Sequence, residues 1–431
     1  MLKNIFLKNF KSFKEATLPL SSLTLLIGAN ASGKSNAIEG VRLLNWLAEG
    51  RKLMEITHSV QDSDQVMRGR ISDIGYCGES KFIIGCSKSG KWNQLTIELE
   101  LREDELHIID ESIEDNEEIV PLYKIKSPSK KQNTDIKVEY NNFSVGRVKP
   151  IVKCVDSRAV FTQLDSPATF GEKHKRSQKE IPETTKSYQH ILGGMLFLDP
   201  VPSLMRGSEF KSEKIMRGDG RNLSGVLFNL CEYKNPKKKL LSIIKSLPEQ
   251  DIKDILFYET DRGKVLLELV ENFGGDEKKW EASLLSDGTL RVLAIAGALL
   301  SAPKGSLVII EEVDNGVHPS RAKHLLEAMR ELAEERDLRL LLSTHNPALM
   351  DAVPDESLGD VVFCYRDAKD GSSKLTKLSD LSDFPALAAR GPLGQLATKR
   401  IVEKFAKSSV TPEEKKEKAL AWINELQQAG E

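Results

Sequence analysis

No stretch of this chain is both long and apolar. The longest apolar run, Val292 to Leu300, is interrupted by Gly297 and falls far short of the roughly 18 residues that a membrane-crossing helix needs. At the N-terminus Lys3, Lys8 and Lys11 alternate with apolar residues, so the uninterrupted core of a secretory signal is missing. A cytoplasmic location with no membrane partner is expected. The five cysteines (Cys77, Cys86, Cys154, Cys231, Cys364) form no CxxC pair, which argues against a zinc site or a disulfide frame and for reduced thiols. No charge of one sign dominates. Lys and Arg total 62 against 64 Asp and Glu, for a net charge of −2, which excludes a wholesale basic coat but leaves room for local basic faces. Internal repeats and sustained heptads are also lacking.

What is present is a 431-residue chain, 40% hydrophobic and 29% charged. That is ample for a folded core, and at roughly 150 residues per domain it means about three units or one large α/β unit with insertions. Four segments are expected. Residues 1–114 open with short strands at Asn4 to Lys8 and Glu15 to Leu18, a buried strand at Leu23 to Ile27, and a helix with Ile38, Val41, Leu44 and Leu47 on one face. The same segment then turns to antiparallel strands, Phe82-Ile84, Leu95-Leu99 and Leu106-Ile109. Residues 115–260 read as a polar, lysine-rich insertion whose fold is not legible, followed by helix from Leu223 to Phe257. Residues 261–380 alternate strand and helix, with strands at Leu307 to Ile310, Leu338 to Leu342 and around Val361 to Tyr365, which predicts a mostly parallel sheet. Residues 381–431 form a tail whose stretch from Pro412 to Gly430 reads as a charged amphipathic helix.

Gly28-Ala29-Asn30-Ala31-Ser32-Gly33-Lys34-Ser35 satisfies GxxxxGK[ST] at every specified position. A buried strand must here turn sharply and deliver a helix N-terminus, so that successive backbone N–H groups point at phosphate. Gly28 and Gly33 permit backbone conformations and close approach that a Cβ would obstruct. Lys34 supplies a point charge to the β/γ oxygens and Ser35 a hydroxyl to Mg²⁺. A chance match is the alternative, and the apolar strand before the loop and the amphipathic helix after it argue against that. The loop from Gly28 to Asn36 is therefore read as a nucleoside triphosphate site for ATP and Mg²⁺.

The strand Leu307 to Ile310 ends in Glu311 and Glu312. Two carboxylates after a buried strand are costly unless a cation or water uses them. Glu311 suits the Mg²⁺ shell, directly or through water, and Glu312 suits the base that deprotonates the attacking water. A solvated strand end is the bland alternative. His345, in Ser343-Thr344-His345-Asn346-Pro347, follows another apolar strand. Open parallel sheets bind ligands beyond the carboxyl ends of their strands, so His345 is placed to bond a γ-phosphate oxygen or hold the water.

With Leu285-Ser286-Asp287-Gly288-Thr289-Leu290-Arg291 upstream of the acidic strand, the sequence resembles the ABC-type ATPases, whose signature is LSGGQ, and within them the RecF/SMC/OLD branch. The matches are Asn9-Phe10-Lys11-Ser12-Phe13, the loop Gly28 to Asn36, Leu285 to Arg291, Ile309 to Pro319 and Ser343 to Pro347. They occur in the family's order at the two ends of the chain. The resemblance implies an α/β P-loop head, a mostly parallel sheet with helices plus an antiparallel β lobe, split by the insertion. It also implies a composite site in a homodimer or higher even oligomer, where Ser286 and Gly288 of one copy contact the γ-phosphate held by the other. Asp314, Asn315 and Gly316 match the loop that communicates across such a dimer, and Lys11 a basic position near the nucleotide. Asp287 and Thr289 depart from the usual glycine and glutamine, and Glu311 stands where aspartate is commoner. For the glutamine loop Gln61 and Gln65 are both candidates.

The span from Ser35 to Ser286 holds strands and a modest helical region, which excludes a long-armed SMC machine. The residues after His345 show no acid cluster of the Toprim kind, so a built-in nuclease is not expected. What remains resembles a stand-alone OLD-like, AAA-21-type head such as the ATPase subunits of the anti-phage systems Septu and PARIS, with a separate nuclease or toxin as effector. A RecF-like, ATP-dependent DNA binder in repair is the alternative, and a scaffold that binds ATP with little turnover is a further one. Lys124, Lys126, Lys130 and Lys131, the run Lys173, Lys175, Arg176 and Lys179, and Lys237 to Lys239 would either track DNA phosphates or form a solvated face, the commoner outcome.

Overall fold

The computed structural model of the chain describes residues 1–56, 66–129, 134–146, 148–245, 251–315, 319–381 and 384–407. The tail beyond 407, Gln61, Gln65, Gly316, Lys130 and Lys131 lie outside the described residues. Strands β1 (Leu2–Phe10) and β2 (Phe13–Pro19) pair antiparallel, and β3 (Thr24–Ile27) runs into the phosphate loop and helix α1 (Lys34–Ala48). All four residues of β3 are buried, as a central parallel strand requires. Strands β4 (Lys81–Lys88), β5 (Gln94–Arg102) and β6 (Glu105–Glu114) continue from β1 as an antiparallel meander.

The polar region that follows is more ordered than its composition predicts. Strands β7 (Tyr123–Ser127), β8 (Asp135–Tyr140) and β9 (Ile151–Val155) extend the same sheet to eight strands in the order β2-β1-β4-β5-β6-β7-β8-β9. Tyr123 and Ile125, then Ile136, Val138 and Tyr140, are buried at alternate positions. One face at period 2 is enough to dock a strand that is otherwise charged. Beneath them Glu111 is fully buried and accepts hydrogen bonds from the Tyr123 hydroxyl and the Val160 and Phe161 amides, each at 2.7 Å. Burial pushes its carboxyl up to about 7, against those three donors.

Helix α2 (Lys175–Gly193) leads to β10 (Leu196–Leu198), then to α3 (Pro202–Met205) and β11 (Glu209–Phe210). Helices α4 (Leu223–Cys231) and α5 (Lys234–Ile244) follow, but the helical reading fails beyond them. Residues 252–257 belong to β12 (Ile252–Thr260), which pairs with β13 (Lys264–Phe273), itself flanked by β14 (Asp276–Glu281). An isoleucine- and aromatic-rich run took a cross-strand partner instead of continuing the helix.

Helix α6 (Asp287–Ser301), β15 (Leu307–Ile310), α7 (Pro319–Glu335), β16 (Arg339–Thr344), α8 (Pro347–Asp351), β17 (Val362–Arg366) and β18 (Ser373–Lys377) complete the head. The central sheet has the order β10-β15-β16-β3-β17-β18, parallel except for the edge strand β18. Its residues divide alternately between two cores. Leu26, Leu307, Ile309 and Leu341 face the core shared with α1 and the β lobe. Leu25, Ile27, Val308, Ile310 and Leu342 face the core built by α6 and α7. This is the expected fold class, an α/β P-loop head with a mostly parallel sheet and an antiparallel β lobe. Among the described residues no helix is long and apolar enough to cross a membrane.

Candidate functional site

Because β15, β16, β3 and β17 are parallel neighbours, the residues that follow them emerge along one edge. Gly28 follows β3, Glu311 and Glu312 follow β15, His345 follows β16, and Arg366 closes β17. Residues far apart in sequence converge there by strand order alone.

The phosphate loop is held from three sides. Gly28, Ala31 and Gly33 have φ of 152°, 62° and 116°, and a Cβ on Gly33 would lie 2.3 Å from Ser373 Oγ. The buried Ser373 hydroxyl donates to the Ser32 carbonyl at 2.5 Å and shares a hydrogen bond with the Ser12 hydroxyl at 2.8 Å. Asn36 Nδ2 donates to Ser12 Oγ at 2.8 Å, and Arg366 Nε to the Ala31 carbonyl at 3.1 Å. Lys34 Nζ lies across the loop, donating to the carbonyls of Gly28 at 2.7 Å and Ala29 at 3.1 Å. Burial draws this ammonium below its ordinary value, and the nearby Glu312 carboxylate works in the other direction. Ser32 Oγ is buried without a hydrogen-bond partner. A cradle of glycines, a cation folded onto its own carbonyls and an orphaned hydroxyl fit a triphosphate.

Glu312 sits at φ 48°, a sparsely populated conformation for a non-glycine residue. Its amide donates to Ser343 Oγ at 3.2 Å, and the Val313 amide to the Ser343 carbonyl at 3.1 Å. The backbone of β16 thus pins the turn that displays the carboxylate. That carboxylate is exposed, accepts from Asn315 Nδ2 at 3.0 Å, and lies 3.9 Å from His345 Nδ1. Glu311 is engaged differently, in an ion pair with Arg42 of α1 at 3.1 Å. The Arg42 guanidinium stacks over Phe197 at 4.6 Å. Ser35 and Glu311 are the residues that could hold Mg²⁺. Among the described residues no group of three His, Cys, Asp or Glu is placed to hold a metal ion.

Lys11, at φ 52°, is nearly buried and paired with Glu39 at 3.2 Å, which also takes Arg68 Nε at 2.7 Å. Asn30 and Ala31 lie exposed at the loop tip. Ser286 caps α6, accepting from the Thr289 amide at 3.1 Å. Arg206 donates to the Leu285 carbonyl at 3.1 Å and to Asp287 at 2.7 Å. Gly288 lies in the first turn of α6, and Thr344 Oγ1 donates to Asp314 at 2.5 Å. The phosphate loop, Glu312 and His345 come together, whereas Ser286 and Gly288 belong to a helix packed on β10, which β15 and β16 separate from β3. Of the lysine runs, Lys124 pairs with Asp110, Lys126 with Glu139, Arg176 with Glu180, Lys237 with Asp254 and Lys239 with Glu335.

Sequence reasoning missed Arg42, Arg206, Arg366 and Ser373. Only Arg366 carried a signal, a charged residue at the carboxyl end of an expected parallel strand.

Residues 177–351 match the family model described as "AAA domain, putative AbiEii toxin, Type IV TA system". The chain is 30% identical over 142 residues to a probable ribonucleotide transport ATP-binding protein, mkl, of Mycobacterium leprae, covering 31% of this chain and 38% of that protein. It is 40% identical over 70 residues to the DNA replication and repair protein RecF of Gloeobacter violaceus, covering 16% and 17%. The chain thus spans well under half the length of these curated relatives. Among solved structures, an SMC head bound to the C-terminal winged-helix domain of ScpA aligns at a TM-score of 0.47 and 14% identity, over 87% of this chain and 97% of that chain. The SMC head domain of Thermotoga maritima aligns at 0.40 and 14%, over 87% and 98%. In sequence the chain is similar to ABC-type ATP-binding proteins and to RecF.

Proposed function

We propose that this chain binds and hydrolyses ATP, dimerises around the nucleotide, and serves as the ATPase subunit of a bacterial anti-phage defence system with a separate nuclease or toxin as effector. The observation that carries the ATPase reading is the convergence of the phosphate loop, Glu312 and His345 at the ends of three adjacent parallel strands. On binding ATP, Lys34 exchanges the carbonyls of Gly28 and Ala29 for β/γ-phosphate oxygens. Glu312 takes a proton from water as its oxygen attacks the γ-phosphorus, and the bond to the β–γ bridging oxygen breaks to release ADP and phosphate. His345 donates to the γ-phosphoryl group or steadies the water. Mg²⁺ held by Ser35 and Glu311 would supply charge neutralisation, and the Arg42 ion pair favours Glu311 acting through water.

Dimerisation is supported by the placement of Ser286. Its helix packs on β10, which two intervening strands separate from the β3 strand of its own phosphate loop, so a second copy is the natural recipient of its helix-end dipole. ATP then favours the closed pair because only that state adds contacts to the γ-phosphate, and hydrolysis reverses closure. The defence reading is supported by the toxin–antitoxin wording attached to the matching family model.

Glu312→Gln tests the core of this. The variant is expected to retain ATP, lose turnover by about 10²- to 10⁴-fold, and elute as a dimer with ATP in size-exclusion chromatography with light scattering. Undiminished turnover would remove Glu312 as the base. The RecF match favours a second reading, an ATP-dependent DNA binder. Retention of duplex DNA by the isolated protein with ATP at near-physiological salt would select it, and a nuclease or toxin gene beside this one would select the defence reading.

A further inference from the structure

The signature turn carries a negative charge where an anion is expected to bind. Asp287 stands at the first position of α6, exposed, directly after Ser286. Ser286 Oγ takes the Thr289 amide at 3.1 Å and shares a hydrogen bond with the Thr289 hydroxyl at 2.8 Å. The Asp287 and Gly288 amides have no acceptor within the helix, and with the helix dipole behind them they suit an anion. A carboxylate in that turn stabilises the helix by itself and opposes a second anion. Glycine, the usual residue at this position of the signature, would bring no charge. Here the charge is met by Arg206. Its Nη2 donates to the Asp287 carboxylate at 2.7 Å and to the Leu285 carbonyl at 3.1 Å, so one guanidinium clasps the residues on either side of Ser286. Arg206 follows α3, between Met205, which is fully buried, and Gly207, whose carbonyl accepts from Ser224 Oγ of α4 at 3.1 Å. Fixed neighbours on both sides set where the guanidinium starts from. The side chains of Arg206 and Asp287 are 32% and 69% exposed, and a pair this open adds little to folding. Its position distinguishes it, not its strength.

We propose that Arg206 is a positioning residue of the two-copy site: it holds the Asp287 carboxylate aside and offsets its charge, so that the open amides of α6 receive the γ-phosphate carried by a second copy. The proposal rests on the dimer reading above and extends it to a residue outside every motif. Without Arg206 the phosphate would approach a bare carboxylate as the copies close, and the repulsion would grow as the interface sheds water. With Arg206 in place the pair is neutral and the helix end dominates. Arg206 then acts through Asp287, so its importance should vanish once Asp287 is removed. A brace that only held the loop by the Leu285 carbonyl would matter equally with or without Asp287.

The full chain carrying Glu312→Gln, in which the closed state is expected to persist, serves as the reference. ATP-driven dimerisation is measured by analytical ultracentrifugation over a range of protein concentrations, with dialysis against labelled ATP and urea unfolding for each variant. Arg206→Ala is expected to weaken the ATP-bound dimer about tenfold or more, because the repulsion occurs at both sites of a two-fold pair. ATP binding by the monomer and the unfolding midpoint should stay as they were. Asp287→Gly alone should leave the dimer as tight or tighter. Arg206→Ala combined with Asp287→Gly should return dimerisation to within about twofold of the reference, a strongly non-additive pair. Arg206→Gln, closer to arginine in length, repeats the test if the alanine variant unfolds. An undiminished dimer in Arg206→Ala, or an equal loss with Asp287→Gly present, overturns the proposal. A reference that binds ATP and stays monomeric overturns the dimer reading itself, and the two failures are thereby told apart.

Discussion

The two faces of the central sheet are built on different terms. On the phosphate-loop face, the core contains the buried charged groups Glu39, Lys88, Glu111, Asp115 and Asp156. The loop there is fastened by a hydroxyl from β18 and a guanidinium from β17, more than 300 residues away in sequence. On the signature face the buried polar groups around the α6 and α7 core include Glu271 and the neutral Asn222, Ser224 and Thr289, and the Ser286 side chain caps its helix through Thr289. One element is fastened at several points by strands at the far end of the chain, and the other is a helix cap displayed outward, steadied from outside its own neighbourhood by Arg206 on the Leu285 carbonyl and Asp287. A cradle for a highly charged ligand must resist collapse onto itself, and only long-range ties provide that resistance. In the dimer proposed above, a lid for the second copy needs only to be present at the surface.

Substitutions that respect this contrast should have unequal effects. Gly28→Ala is expected to do most damage. At φ 152° its Cβ would lie 2.2 Å from the Cys364 backbone carbonyl, so stability should fall by about 3 kcal/mol with loss of ATP binding, read by urea unfolding and dialysis. Normal binding in that variant would mean the loop is softer than its ties indicate. Next comes Ser373→Ala. It leaves the Ser32 carbonyl with only the weaker Cys364 Sγ donor at 3.3 Å and removes the hydroxyl partner of Ser12 Oγ, at an expected cost of about 2 kcal/mol and with weaker ATP binding. Ser286→Ala should cost only about 1 kcal/mol, the value of a lost cap, and leave ATP binding by the monomer unchanged. Comparable binding losses in the last two variants would erase the distinction between the two faces.

The buried charges also predict where pH acts. Glu111 has a folded value of about 7 against an ordinary 4.5, so the folded protein holds that proton more tightly than the unfolded chain. Its contribution is full below pH 4.5, falls as pH rises towards 7, and is flat above. Thermal melts of the wild type should show this slope and those of Glu111→Gln should lack it. Parallel curves would show that Glu111 does not titrate in this range.

How far the site was legible follows from where its determinants lie. Gly28 to Ser35, Ser286, Glu312 and His345 sit in short contiguous motifs, each beside an apolar strand or helix, so residue type and address are visible together. The ties of Ser373, Arg42 and Arg206 join positions with no sequence relation, and nothing in their neighbourhoods marks them. Strands β7 to β9 were hidden for another reason. Their alternation at Ile136, Val138 and Tyr140 is short and crowded by lysines and acids, and it gains meaning only once an edge of β6 is available to pair.

The sequence by itself determined the chemistry on offer: a loop for phosphate, acids and a histidine at strand ends, and a capped signature turn. These are local matters of backbone freedom, charge and periodicity. The tertiary structure alone decided the strand order that brings β15, β16 and β3 together, the pairing of Arg42 with Glu311, and the clasp of Arg206 on Leu285 and Asp287. Such features arise from packing and hydrogen bonding between segments whose separation along the chain carries no information about their distance in space.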